Sequence, residues 1–96
     1  MEKNLKFEWD KNKARLNLKK HNVTFEEAFT VFYDPLGKIG EDILHSYNEY
    51  RNVIIGRSMS GMLLIVSYTE RFEKIRIINA RETTKHERLD YEENII

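Results

Sequence analysis

Three apolar runs, Arg51–Gly56, Met62–Tyr68 and Lys74–Ala80, follow one another with only short polar turns between them. No other feature narrows the fold so far. Runs of this length and composition read as strands, and so few residues between strands permit only antiparallel neighbours. Ser58-Met-Ser-Gly61 and Glu70-Arg-Phe-Glu73 supply the turns. The middle run is nearly all apolar and reads as buried on both faces. The last, with isoleucines at 75, 77 and 78, reads as a central strand for the same reason. It also carries Arg76 and Arg81, which are costly there unless they line a pocket or reach past the sheet edge. Five residues apart, they fall on opposite faces of a regular strand unless Arg81 has already left it. A guanidinium is always charged, and its planar fork suits phosphate.

Helices flank this meander. Asp10 is a good N-cap for a helix running to about His21. Ala14, Leu18 and His21 share one face of it, with Asn17 beside them, while Lys11, Lys13, Arg15, Lys19 and Lys20 cover much of the rest. Thr24-Phe-Glu-Glu27 is a capping box, in which the Thr24 hydroxyl and the Glu27 carboxylate satisfy backbone donors reciprocally. Phe25, Ala28, Phe29 and Phe32 then form one apolar stripe, and Asp34-Pro35 stops the helix. A short strand over Leu5–Glu8 precedes the helices, and Lys38–Glu41 reads as another with a loop after it. Thr84-Lys-His-Glu87 is a second capping box, opening a last helix through about Glu93. The expectation is one α+β domain over residues 1–96. Two N-terminal helices pack on a mainly antiparallel sheet of three to five strands, and a C-terminal helix closes it.

The net charge is zero, which argues against loose coating of nucleic acid, but the charge is segregated. Residues 1–22 carry +4, 23–50 carry −5, 51–81 carry +4 and 82–96 carry −3. Two basic segments can therefore converge on one patch, and the acidic ones can meet a basic protein partner. No apolar run is long enough to span a bilayer, and the N-terminus lacks the apolar core of a signal peptide. The absence of cysteine excludes disulfides and thiolate metal sites and fits a cytoplasmic location. No Asp, Glu or His cluster has convincing ligand spacing, so neither a metal nor another cofactor is expected.

Several blocks can be read together. Phe7-Glu-Trp-Asp10, Asn17, Lys20-His21, Val23, Phe25, Glu27-Ala28 and Asp34-Pro35 cover the first third. Glu49, Arg51, Ile55-Gly56, Ser58, Tyr68-Thr-Glu-Arg71, Ile75-Arg-Ile-Ile78, Ala80-Arg81, Thr84, Glu87-Arg88 and Tyr91 cover the rest. In order and spacing this pattern resembles the BrnT family of bacterial type II toxins, whose fold is similar to that of the RelE-type ribonucleases. The chain departs from the pattern at Asn79, where serine is usual, and at Asn22, where glycine is common. Asparagine tolerates the left-handed backbone of a helix C-cap, so Asn22 is harmless. Asn79 stays polar but lacks a hydroxyl. The resemblance implies a cytoplasmic endoribonuclease that cuts RNA, inhibits translation and slows growth. It implies a BrnA-like, DNA-binding antitoxin that neutralises the toxin. Promoter DNA would be reached only through that partner, with the toxin as corepressor.

Metal-independent RNA cleavage needs a base for the 2′-hydroxyl, cations for the phosphate and an acid for the leaving oxygen. Arg51, Arg76 and Arg81 are the candidates for the phosphate, and structural ion pairs with Glu49, Glu70 or Glu73 are the competing account of them. His21 has a suitable pKa as base, although a capping or core histidine is the more common use of that position. Glu49 and Tyr91 are alternatives. Glu49, two residues before Arg51, shares its face if the strand has begun, while Tyr91 reads as a core tyrosine with a wet hydroxyl. Lys20, Arg71, Tyr91 and Trp9 are the further candidates for RNA contact, with Trp9 more often a core anchor. His45 and His86 read as surface. The rival functional reading is a catalytically silent interaction or corepressor module of the same fold. A small RNA-binding protein without a partner is a further alternative.

Overall fold

The computed structural model describes residues 4–42 and 50–93. Along the chain lie β1 (Phe7–Glu8), α1 (Lys11–His21), α2 (Phe25–Phe29), a 3-10 turn (Thr30–Tyr33) and β2 (Lys38–Glu41). β3 (Asn52–Arg57), β4 (Leu63–Arg71), β5 (Lys74–Glu82) and α3 (Lys85–Glu93) follow. The strands form one sheet in the order β1-β5-β4-β3-β2, antiparallel except for the β1–β5 pair. The α+β architecture and the meander match the sequence expectation. The central strand is β4, however, and β5 is second from the edge. The isoleucine-rich run suggested a central β5, but its apolar character has another origin, described below.

α1, α2 and the 3-10 turn cover one face of the sheet. Phe25, Ala28, Val31 and Phe32 project from them onto Ile54, Leu64, Val66, Tyr68, Ile77 and Ala80, all of them buried. Phe7 stacks on Phe29, and Trp9 packs edge-on to Phe25. The stripe expected from Phe25 to Phe32 is therefore the main wall of the core. α1 differs from its expectation, because Leu18 is exposed and its buried residue is Asn17. The Asn17 amide donates to the carbonyls of Ala80 and Val23 and accepts from the Ala80 N–H. β1 pairs with β5 only at Ile75 and Arg76. Past that point Asn17 supplies the donor and acceptor that a neighbouring strand would offer Ala80, so both backbone groups of Ala80 are paired. Asn22 then ends α1 at φ 57°, as expected for a residue tolerant of that conformation.

Among the described residues, the opposite face is covered only in part. α3 lies against β3, where Tyr91 packs with Ile55, Leu63 and Ile65. The Tyr91 hydroxyl is not wet. It donates to Asp34 Oδ2 at 2.8 Å, and the same oxygen accepts from the Arg57 N–H. Asp34 thus ties α3 to the end of β3 and, through Oδ1 and the Leu36 N–H, to the turn before β2. The two expected capping boxes come out differently. Thr84 and Glu87 are fully reciprocal. Thr24 accepts from the Glu27 N–H, but the Glu27 carboxylate turns away to the β3–β4 turn and accepts from the Ser60 N–H and hydroxyl.

Candidate functional site

The rest of the second face is organised by a β-bulge. β4 and β5 pair Thr69 with Arg76 and Tyr68 with Ile77, but the next partners are Ser67 with Asn79. The extra residue, Ile78, shifts the alternation of β5 by one. Ile77 and Ala80 therefore both face the helices and are both buried. Arg76, Asn79 and Arg81 fall on the same face as Thr69, Ser67 and Ile65. A regular strand would have separated the two arginines, and the bulge unites them. It also accounts for apolar residues at both 77 and 78 in a strand that is not central.

Around this face lies a cavity of about 440 Å³. Val53, Ile65, Ser67 and Asn79 line the sheet side, Glu41 and Asp42 the end of β2, and Arg51, Arg81 and Glu87 contribute charge. Arg51 immediately precedes β3. The Thr69 hydroxyl donates to the Tyr50 carbonyl, and the Asp42 N–H donates to the Arg51 carbonyl, which pins the chain there. Arg81 is held by Glu87 in a bidentate ion pair of 2.8 and 2.9 Å. Hydrogen bonding to Glu87 raises the Arg81 pKa further, and the Arg81 guanidinium holds the Glu87 carboxyl below its ordinary value. The site can thus present guanidinium groups to an anion within a partly apolar bowl, where their fields are less screened than in open water.

The sequence candidates divide. Arg51 and Arg81 line the cavity. Arg76 shares its face but stands beside it, 3.5 Å from Glu8, its register partner on β1. Arg71 ends β4 at the far end of that face. His21 and Lys20 belong to the last turn of α1 and do not line the cavity. Trp9 packs on Phe25 and Phe29, and Tyr91 is buried against Ile55 and Leu63. Glu49 and His45 lie outside the described residues. Sequence reasoning missed Glu41, Asp42, Ser67 and Glu87 as cavity residues. A lone serine alternating with Ile65 and Thr69 in an apolar run was the available signal for Ser67, whereas Glu87 was read only as a helix cap.

A small α+β domain with a charged bowl on the sheet face away from α1 and α2, built around arginines, fits the class of ribonuclease toxins of type II toxin-antitoxin systems, and comparison with known proteins establishes that class. The family model described as "Ribonuclease toxin, BrnT, of type II toxin-antitoxin system" matches residues 9–87. The chain belongs to the BrnT family. Its fold is similar to that in the 1.1 Å crystal structure of the Brucella abortus ribonuclease toxin BrnT, with a TM-score of 0.66 and 20% sequence identity. That match covers 85% of this chain and 100% of the other. No curated protein matches. Membership of the family implies an RNA substrate and an antitoxin partner. Among the described residues, no helix is long and apolar enough to cross a membrane.

Proposed function

We propose that this toxin is an endoribonuclease that cuts by attack of the 2′-hydroxyl on the adjacent phosphorus, without a metal, and that the cavity holds the scissile phosphate. Arg51 and Arg81 are its cations, and Arg76 holds a neighbouring phosphate. The observation that carries this reading is the bulge at Ile78, which sets Arg76 and Arg81 on the face to which Arg51 belongs. As the 2′-oxygen gives its proton to the base and bonds to phosphorus, the P–O bond to the 5′-leaving oxygen breaks, that oxygen takes up a proton from solvent, and the 2′,3′-cyclic phosphate forms. Negative charge grows on the non-bridging oxygens, where fixed guanidinium donors are most effective. We assign the base to Glu49, two residues before Arg51, in preference to His21, whose helix turn does not line the cavity. Asn79 lacks the family's usual hydroxyl, but Ser67, its cross-strand partner, brings a hydroxyl to the same cavity. A DNA-binding, BrnA-like antitoxin neutralises the toxin in the cytoplasm, and the pair represses its own promoter.

The rival, a catalytically silent corepressor, draws its support from Arg81, whose fork is already occupied by Glu87. Incubating the purified protein with a defined RNA in EDTA separates the two. Cleavage leaving cyclic-phosphate ends, reduced about 10²–10³-fold in Arg51→Ala and Arg81→Ala and less in Arg76→Ala, is expected. A folded protein that cuts nothing, with or without ribosomes, would establish the silent module instead.

A further inference from the structure

The tip of the β4–β5 hairpin is built against the usual rules. Its two loop residues, Phe72 and Glu73, have φ of 48° and 67°, a conformation that glycine and asparagine adopt readily and a phenylalanine does not. Phe72 is 97% exposed. The residues flanking the loop, Arg71 and Lys74, are direct cross-strand partners of like charge, an arrangement that destabilises a hairpin on its own. By strand alternation both belong to the face that carries Arg76, Asn79 and Arg81. A line of cations therefore runs along the face from the cavity to the tip, about 20 Å for the six steps from Ile65 to Arg71. At its end stands a strained, solvent-facing aromatic ring, and backbone strain of this kind concentrates where a residue has a function.

We propose that this line is a track for single-stranded RNA leaving the cavity, in which Arg71 and Lys74 hold a backbone phosphate and the Phe72 ring stacks on a base. The inference rests on the ribonuclease reading above. An anion between Arg71 and Lys74 can meet both side chains, and stacking on Phe72 is tolerant of base identity because every base has a π-face. The alternative occupant is the antitoxin, with Phe72 as an apolar anchor. Arg71 and Lys74, which flank the Phe72–Glu73 loop, and the face they share with the cavity favour RNA.

The test uses the full chain and 2′-O-methyl RNA, which resists cleavage by 2′-hydroxyl attack. Binding of a fluorescent decamer and of a dinucleotide is measured by anisotropy for wild type, Phe72→Asn, Phe72→Trp and Arg71→Gln/Lys74→Gln. Phe72→Asn should weaken the decamer about 5- to 100-fold, leave the dinucleotide unchanged, and raise the melting temperature by relieving the turn. Phe72→Trp should retain decamer binding. The double variant should lower the slope of log affinity against log salt by about one. Decamer binding unchanged in Phe72→Asn, or lost equally for both lengths, overturns the track. Loss of antitoxin binding with RNA binding intact also overturns it and assigns Phe72 to the protein partner. If wild type cuts RNA while Phe72→Asn binds the decamer normally, the track alone fails. If wild type binds neither RNA yet cuts RNA with or without ribosomes, the track alone fails; if it binds neither and cuts nothing in either setting, the ribonuclease reading fails with it.

Discussion

Arg81 and Glu87 face each other across the corner between β5 and α3, each terminal guanidinium nitrogen within 2.9 Å of a carboxylate oxygen. The Glu87 carboxylate also accepts from the Thr84 N–H and so caps α3. One side chain thereby couples the cavity arginine to the helix that contributes to the cavity wall. Both partners retain some solvent contact, which limits what the pair adds to stability. Glu87→Ala should lower unfolding stability by roughly 1–2 kcal/mol, from lost capping and pairing together. It should also release Arg81 to an incoming phosphate. The expected result is a less stable protein with tighter binding of non-cleavable RNA, read by urea denaturation and anisotropy on the same preparation.

Asn17 carries a larger share of the fold than any lysine around it. Its amide makes three hydrogen bonds, two of them to Ala80, in a buried setting. Asn17→Ala leaves the Ala80 N–H and two carbonyls without partners, so a loss of about 2–4 kcal/mol is expected in chemical denaturation. Hydrogen exchange should report the same event locally, with the Ala80 amide losing protection before the β3–β4 amides do.

Asp34 sets an acid limit on the attachment of α3. Burial pushes its carboxyl up, but hydrogen bonds from the Arg57 and Leu36 N–H groups and from Tyr91 outweigh it, and the pKa is lowered overall. Glu87 is lowered as well, chiefly by Arg81. A carboxyl whose folded pKa lies below its unfolded one stabilises the fold fully above the unfolded value, about 4 for these groups. That stability is lost as pH falls through the folded value. Urea midpoints should therefore be level from neutrality to about pH 5 and drop below it. In Asp34→Asn the drop should be shallower and the neutral-pH midpoint lower. Tyr91→Phe, which removes one donor to Asp34, should cost about 1 kcal/mol at neutral pH.

Much of the fold was legible because local rules and tertiary packing agree. Asp10, the Phe25–Phe32 stripe, the Asp34-Pro35 stop and the short turns each specify an element by its own chemistry; the structure starts and stops these segments where expected, but the stripe that reads as one helix is divided into α2, ending at Phe29, and a 3-10 turn over Thr30–Tyr33. The cavity was legible in part. Arg51 and Arg81 stood out as charges in apolar surroundings, while Glu87 was hidden by its second use as a cap.

The amino-acid sequence by itself determined the meander, the helix starts and stops and the family, since all of these depend on residues close in the chain or on their order. Tertiary structure alone decided the register. A bulge is a choice of which residue goes unpaired, and it depends on burying Ile77 and Ala80 together under α1 and α2. From that choice follow the shared face of Arg76 and Arg81 and the place of Arg81 in the cavity wall. The partners of Glu27 and Tyr91, Ser60 and Asp34, are 33 and 57 residues away, beyond the reach of any local rule.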